Sequence, residues 1–180
     1  MQKLYLLFLL ITLLLISCER DDICAEATPT TPRLLIEFYD ATNIDDLKNV
    51  ARLTVYGEGL ITNPTESSDT TIVYNANTNA IELPLRIGAE GSNTVTRYIL
   101  EKNTDLRLDD NASTTSNIDI IEINYTNEFV YVSRACGYKN IFNNLDIDVD
   151  VNDDDTWISS IGIDEITVEN ENTVHARILH

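Results

Sequence analysis

The residues with chemistry within reach in this chain are an acidic run near the C-terminus, two histidines and three cysteines. In the run, Leu145, Ile147, Val149 and Val151 alternate with Asp146, Asp148, Asp150 and Asn152. Asp148-x-Asp150-x-Asn152 matches the first three ligand positions of a calcium-binding loop. The match then fails. The sixth position is Asp153, where glycine makes the sharp turn, and the twelfth is Ser159, where a bidentate glutamate closes the shell. The aliphatic alternation predicts an extended strand, which spreads carboxylates along one face instead of wrapping them round an ion. The run therefore reads as a solvated strand face, with Asp153, Asp154 and Asp155 left as weak cation candidates.

His175 and His180 point to opposite faces of any continuing strand, which makes them a poor metal pair. Ser133 stands before Arg134 without the Gly-x-Ser-x-Gly elbow of a hydrolase. Carboxylate pairs for glycoside hydrolysis need a cleft, which spacing alone does not define. Trp157, Tyr125, Tyr131 and Tyr138 are scattered as core aromatics are, and a glycine-rich phosphate loop is missing from the sequence. The expectation is a protein that is not an enzyme and carries no cofactor.

The cysteines carry the strongest signal. An apolar run from Leu4 to Ile16 follows Lys3 and ends at Ser17. A membrane-spanning helix needs roughly 20 apolar residues, so this run is too short and reads as a signal peptide over residues 1–17. Leu15-Ile16-Ser17-Cys18 fits a lipobox, in which the Cys18 thiol receives a diacylglycerol after cleavage. Cys24 and Cys136 are then left as an even number in an oxidising compartment. A disulfide between them is expected, worth roughly 4–5 kcal/mol in the chain-entropy model; two unpaired thiols are the alternative.

Around that anchor the composition sets limits. The chain has 30 acidic against 12 basic residues, a formal net charge of −18. Such a surface repels phosphate backbones, so nucleic acid is not an expected partner. Residues 18–32 form a lipidated tether, extended by Pro29 and Pro32, and residues 33–180 are the length of one domain. Within that domain Leu34, Ile36 and Phe38 share one strand face, and Leu53 and Val55 another. Asn43 is placed to start a helical turn over residues 44–48. Thr71–Tyr74 and Ala80–Ile87 read as strands about an Asn-rich turn, with Pro84 confining the second to an edge or bulge. Residues 94–102 predict a strand and residues 106–117 a loop. Thr126-Asn127-Glu128 predicts a hairpin turn between residues 118–125 and 129–134, with a bulge at Ile120-Ile121. Residues 157–168 and 174–179 complete about nine or ten short strands. The fold expected is an all-β antiparallel sandwich, Ig-like or related, with an open barrel as the alternative.

Several segments together resemble a known family: Cys18, Asp21-Asp22-Ile23-Cys24, Thr28-Pro29-Thr30-Thr31-Pro32-Arg33, Val132-Ser133-Arg134-Ala135-Cys136-Gly137-Tyr138, and His180. They are similar to a small lipoprotein family of Flavobacteria and related Bacteroidota, defined only as a domain of unknown function. The resemblance implies an outer-envelope lipoprotein and the Cys24–Cys136 pairing, and it names an outer-membrane barrel protein as a partner. It supplies no activity. Arg20-Asp21-Asp22 resembles the acidic signal that sends such lipoproteins to the outer face of the outer membrane; otherwise it is a solvated linker beneath a periplasm-facing domain. Asp69-Thr70-Thr71 resembles a short O-glycosylation site at Thr70. The function expected is a non-catalytic, lipid-anchored envelope protein that binds or assists another envelope component. The alternative is a surface lipoprotein that binds glycan or a divalent cation.

Overall fold

The computed structural model describes residues 23–24, 30–109, 111, 113–150 and 155–180. Nine strands and one helical turn are found among them: β1 (Leu34–Tyr39), β2 (Val50–Gly57), β3 (Thr71–Thr78), β4 (Ala80–Leu83), β5 (Asn93–Lys102), α1 (Thr104–Leu108), β6 (Asn117–Ser133), β7 (Gly137–Val149), β8 (Ser160–Ile163) and β9 (Ala176–Leu179). They form two sheets, ordered β4-β1-β9-β8 and β3-β2-β5-β6-β7. This is the expected all-β sandwich. It is not wholly antiparallel, because β1 and β9 run parallel, from Ile36 beside Ala176 to Tyr39 beside Leu179.

Burial follows the pleat. Leu34, Ile36 and Phe38 of β1 and Ile178 of β9 face Leu53, Val55, Leu100, Ile121, Ile123 and Tyr125 across a closed core. Each such side chain contributes about 1.5–3 kcal/mol by leaving water. Trp157 and Val168, from segments outside the strands, also belong to the core.

Several elements differ from the sequence expectation. Residues 44–48 make a turn, in which the Asp46 N–H donates to Asn43 O, and no helix. The Asn-rich stretch is strand: β3 runs to Thr78 and pairs with β2 across register shifts. Asn75 there takes the left-handed φ of 45°, which asparagine tolerates, so it serves a bulge and not a turn. Pro84 does end β4, which is an edge strand. Residues 106–117 open with the end of α1. In the segment expected to be mostly strand from Trp157, only β8 is one.

The largest correction concerns β6. It passes straight through Thr126-Asn127-Glu128, and the reversal comes at Arg134-Ala135-Cys136. The Asn127 side chain is buried: its amide oxygen accepts from Gly88 N–H (3.1 Å) and its amide nitrogen donates to Thr94 Oγ1 (2.6 Å). An asparagine so engaged is not available to a turn. Nor is there a bulge at Ile120-Ile121, where pairing with β5 is unbroken. Asp119 faces inward in phase with Ile121, and its carboxylate accepts from Trp157 N–H (3.3 Å) and Ile158 N–H (2.8 Å). The pairing of β6 with β7 shifts register between Asn124 and Thr126 and again between Tyr131 and Ser133.

A buried ion pair closes one end. Glu101 is fully buried and receives Arg107 through Nε (2.6 Å) and Nη2 (2.9 Å), with Ser116 Oγ donating at 2.6 Å. Arg107 Nη2 also donates to Pro64 O (2.8 Å), which fastens the β2–β3 connection to α1. Removing one partner of such a pair strands a buried charge. Arg107→Ala is expected to lower unfolding free energy by about 3–5 kcal/mol in urea titration.

The two histidines are buried. Burial pushes both below the ordinary histidine pKa of 6.5. His175 Nδ1 accepts from Leu35 N–H (3.0 Å), which suits the neutral ring. Below pH 6.5 the unfolded chain binds protons that the folded chain refuses, so stability is present above that pH and is lost as the pH falls through the folded values. The urea midpoint is therefore expected to drop between about pH 7.5 and about pH 5, and His175→Gln to flatten that drop. Asp40, held near a pKa of about 2 first by the Thr42 hydroxyl, titrates below this window.

Candidate functional site

β5 and β6 present an outer face on which charge is organised about one cation. Arg97 stands on β5 beside Glu122 of β6, and Glu122 stands beside Asp148 of β7. The guanidinium reaches three carboxylates: Nε is 2.6 Å from Glu58, Nη1 is 2.9 Å from Glu122 and Nη2 is 2.6 Å from Asp150. These bonds, that to Asp150 first, raise the Arg97 pKa against the opposing effect of burial. The calcium-like motif fails here for a structural reason. Its first ligand position, Asp148, lies in β7, whose last strand residue is Val149, and the second, Asp150, is held by Arg97. Asp146 and Asp148 are exposed on β7, as a solvated face requires. Among the described residues no three His, Cys, Asp or Glu side chains are grouped to hold a metal ion. Asp155 is exposed; Asp153 and Asp154 lie outside the described residues.

Beside Arg97 lies a half-open cleft of about 610 Å³, lined by Gly57, Glu58, Leu60, Arg86, Arg97 and Tyr98. The Tyr98 hydroxyl donates to Pro84 O, and burial pushes its pKa up to about 12. Arg86 is fixed by its backbone, with its N–H on Thr96 Oγ1 (3.3 Å) and its carbonyl under the Tyr125 hydroxyl (2.7 Å). Leu60, largely exposed, forms an apolar wall. The lining mixes charged, polar and apolar residues; Tyr98 itself is buried in the core, and the Arg97 guanidinium is already taken up by its three carboxylates.

The second assembled region is the tip of the β6–β7 hairpin. Cys136 in its turn is bonded to Cys24, with Cα atoms 4.8 Å apart, across a sequence separation of 112. Thr31 Oγ1 accepts from Asn140 N–H (2.9 Å), a second fastening of the N-terminal segment to β7. Tyr131 and Tyr138 are cross-strand partners whose rings meet edge to face, with centroids 5.4 Å apart. The disulfide is thus present as expected. Cys18, Arg20, Asp21 and Asp22 lie outside the described residues.

The histidines do not meet in a site. His175 bonds to β1, and His180 packs edge-on against Phe38 and Trp157. Of the aromatics expected in the core, Trp157 and Tyr125 are there, whereas Tyr131 and Tyr138 are exposed. Thr70 is exposed in a turn. Arg97 was not singled out by the sequence, because its partners are far from it in the chain. The available signal was the outward phase of an arginine in a strand of an acidic protein.

Two facing sheets with a disulfide-fastened hairpin make this a β-sandwich domain. The chain belongs to DUF6452, a family of unknown function, whose sequence model matches residues 52–180. That agrees with the expected membership of a family defined only as a domain of unknown function. No curated protein and no solved structure matches the chain.

Arg97→Gln removes the shared counter-ion of three half-exposed carboxylates. It is expected to lower stability by about 1–2 kcal/mol at low salt and by less at about 1 M salt, read by urea titration at both.

Proposed function

We propose that this protein is a non-catalytic lipoprotein of the outer membrane, anchored through Cys18, that binds or assists another component of the cell envelope. The observation that carries the reading is the Cys24–Cys136 bond. It fastens the chain just after Cys18 to one extremity of the fold. The six residues from Cys18 to Cys24 span at most about 20 Å even when extended. A lipid on Cys18 would therefore hold the hairpin tip at the membrane. Arg97 and its carboxylates lie level with Glu122, and β6 continues from there to Ser133 near the tip. At about 3.3 Å per residue this separates the cleft from the turn by on the order of 35 Å. A tip-down domain would present the cleft and the acidic face to a neighbour, for which an outer-membrane protein is the partner we favour. Arg20-Asp21-Asp22 would act as the signal for the outward-facing leaflet.

The cleft supports a second reading, a glycan-binding surface lipoprotein, since its mixed lining suits a sugar ring. Crosslinking in intact cells, followed by identification of captured proteins, distinguishes the two. Under the first reading the native chain captures an envelope protein reproducibly, and Cys18→Ala loses both that capture and its sedimentation with membranes. A Cys18→Ala chain that still sediments with membranes refutes the anchor. Absence of any reproducible partner, together with calorimetric binding to a glycan panel that Arg97→Gln abolishes, favours the second reading.

A further inference from the structure

The β6–β7 hairpin overhangs the sandwich. β6 pairs with β5 as far as Thr126, Asn127 still bonds Gly91 and Ser92, and past Asn127 β6 is paired on one side, with β7. Phe129 and Tyr131 continue the inward phase of Tyr125 and Asn127, on the side of the sheet that elsewhere faces the core. Instead of being buried they are 36% and 58% exposed, and Tyr138 beside Tyr131 is 67% exposed. Ile23, 84% exposed, precedes Cys24, which is bonded to the hairpin turn at Cys136. A core-side face thus ends in an uncovered aromatic patch, at the point where the N-terminal segment is fastened.

Charge distinguishes the hairpin turn itself, while the N-terminal segment fastened to it brings Asp21, Asp22 and Glu26 on either side of Ile23 and Cys24. In a chain of net charge −18, residues 129–139 hold Arg134 and Lys139 and not one carboxylate. An anionic lipid surface would repel the acidic outer face of β7 and accept this segment. Tyrosine suits the boundary, because its ring enters the acyl region while its hydroxyl stays hydrated.

We infer that the hairpin tip, through Phe129, Tyr131, Tyr138 and Ile23, seats in the headgroup layer of the lipid bilayer and sets the orientation of the domain on the membrane. The inference rests on the anchoring of Cys18 proposed above. The lipid supplies attachment; the tip converts a leash of six residues into a defined posture, with Arg97 and the cleft facing away.

The test uses the full lipidated chain in vesicles of phosphatidylethanolamine and phosphatidylglycerol with brominated acyl chains. Two single variants, Tyr138→Trp at the tip and Leu60→Trp at the cleft, each add an emission over the common background of buried Trp157. Vesicle flotation reports the anchor separately. If the protein floats, loss of the added emission for Tyr138→Trp but not for Leu60→Trp supports the inference. If it floats and the two are quenched alike, or neither is quenched, the anchor stands and the inference is overturned. An emission at Tyr138→Trp that shifts with protein concentration but not with brominated lipid would assign the patch to a second copy, and also overturns it. A chain that does not float removes the anchor and the inference with it.

Discussion

The fold depends on the buried side chain of Asn127. It sits where β6 leaves β5 and continues with β7 alone. Its amide holds Gly88 and Thr94, Asn140 Nδ2 donates to it from β7 at 3.2 Å, and its backbone carbonyl receives Gly91 N–H. One residue thereby joins the connection before β5, β5 itself and both arms of the hairpin. The contact is close: a Cβ at Gly88 would collide with Thr94 Oγ1 and come within 2.9 Å of Asn127 Nδ2. A buried amide costs free energy unless it is bonded, so the network is stabilising only as a complete set. With both side-chain amide atoms of Asn127 bonded, β6 runs for 17 residues and carries the turn, the disulfide and the aromatic pair beyond the core.

An excess of carboxylates imposes a second constraint. Those on β7 that point outward stay hydrated, at Asp146 and Asp148. Those drawn inward are each given donors: Glu101 has Arg107 and Ser116, and Asp119 has two backbone N–H groups beside Trp157. Arg97 serves three acids at once on the outer face. With so few basic residues in the chain, each well-placed arginine acts on several elements, and repulsion across the sheet is contained locally instead of being left to solvent.

What the sequence disclosed follows from range. Alternation in residues 34–38 and 145–149 is local, and both segments fold as read, because a pleat places alternate residues on opposite faces whatever the rest of the chain does. Cys24 and Cys136 were pairable by counting. The Asn-rich segments were misread because asparagine serves turns, bulges and buried networks alike, and only distant partners decide among them: Thr54 for the backbone at Asn75, Gly88 and Thr94 for Asn127. Asp119 was hidden by the ordinary rule that charges face water, which its bonds to Trp157 and Ile158 override. The cleft and the Arg97 centre assemble residues from β2, β5 and the end of β7, a convergence that no local spacing records.

The same long-range assembly also covers part of the sheet edges. An open sheet edge offers unpaired N–H and C=O groups, a template for aggregation. β7, at one edge of the larger sheet, is covered over its middle: Asn140 N–H by Thr31, Phe142 by a two-way bridge to Val168, and Leu145 N–H by Ile166 O. In the smaller sheet the edge strands are short, and Pro84 terminates β4 where pairing would otherwise extend. The N-terminal segment therefore has a role in the domain independent of any anchor, as part of the cover on β7. Its disulfide keeps that cover in register, because a segment fastened at Cys136 and at Asn140 cannot slide along the strand. The proposed seating of the hairpin tip and the cover on β7 thus depend on the same few residues, and loss of Cys24 would compromise both together.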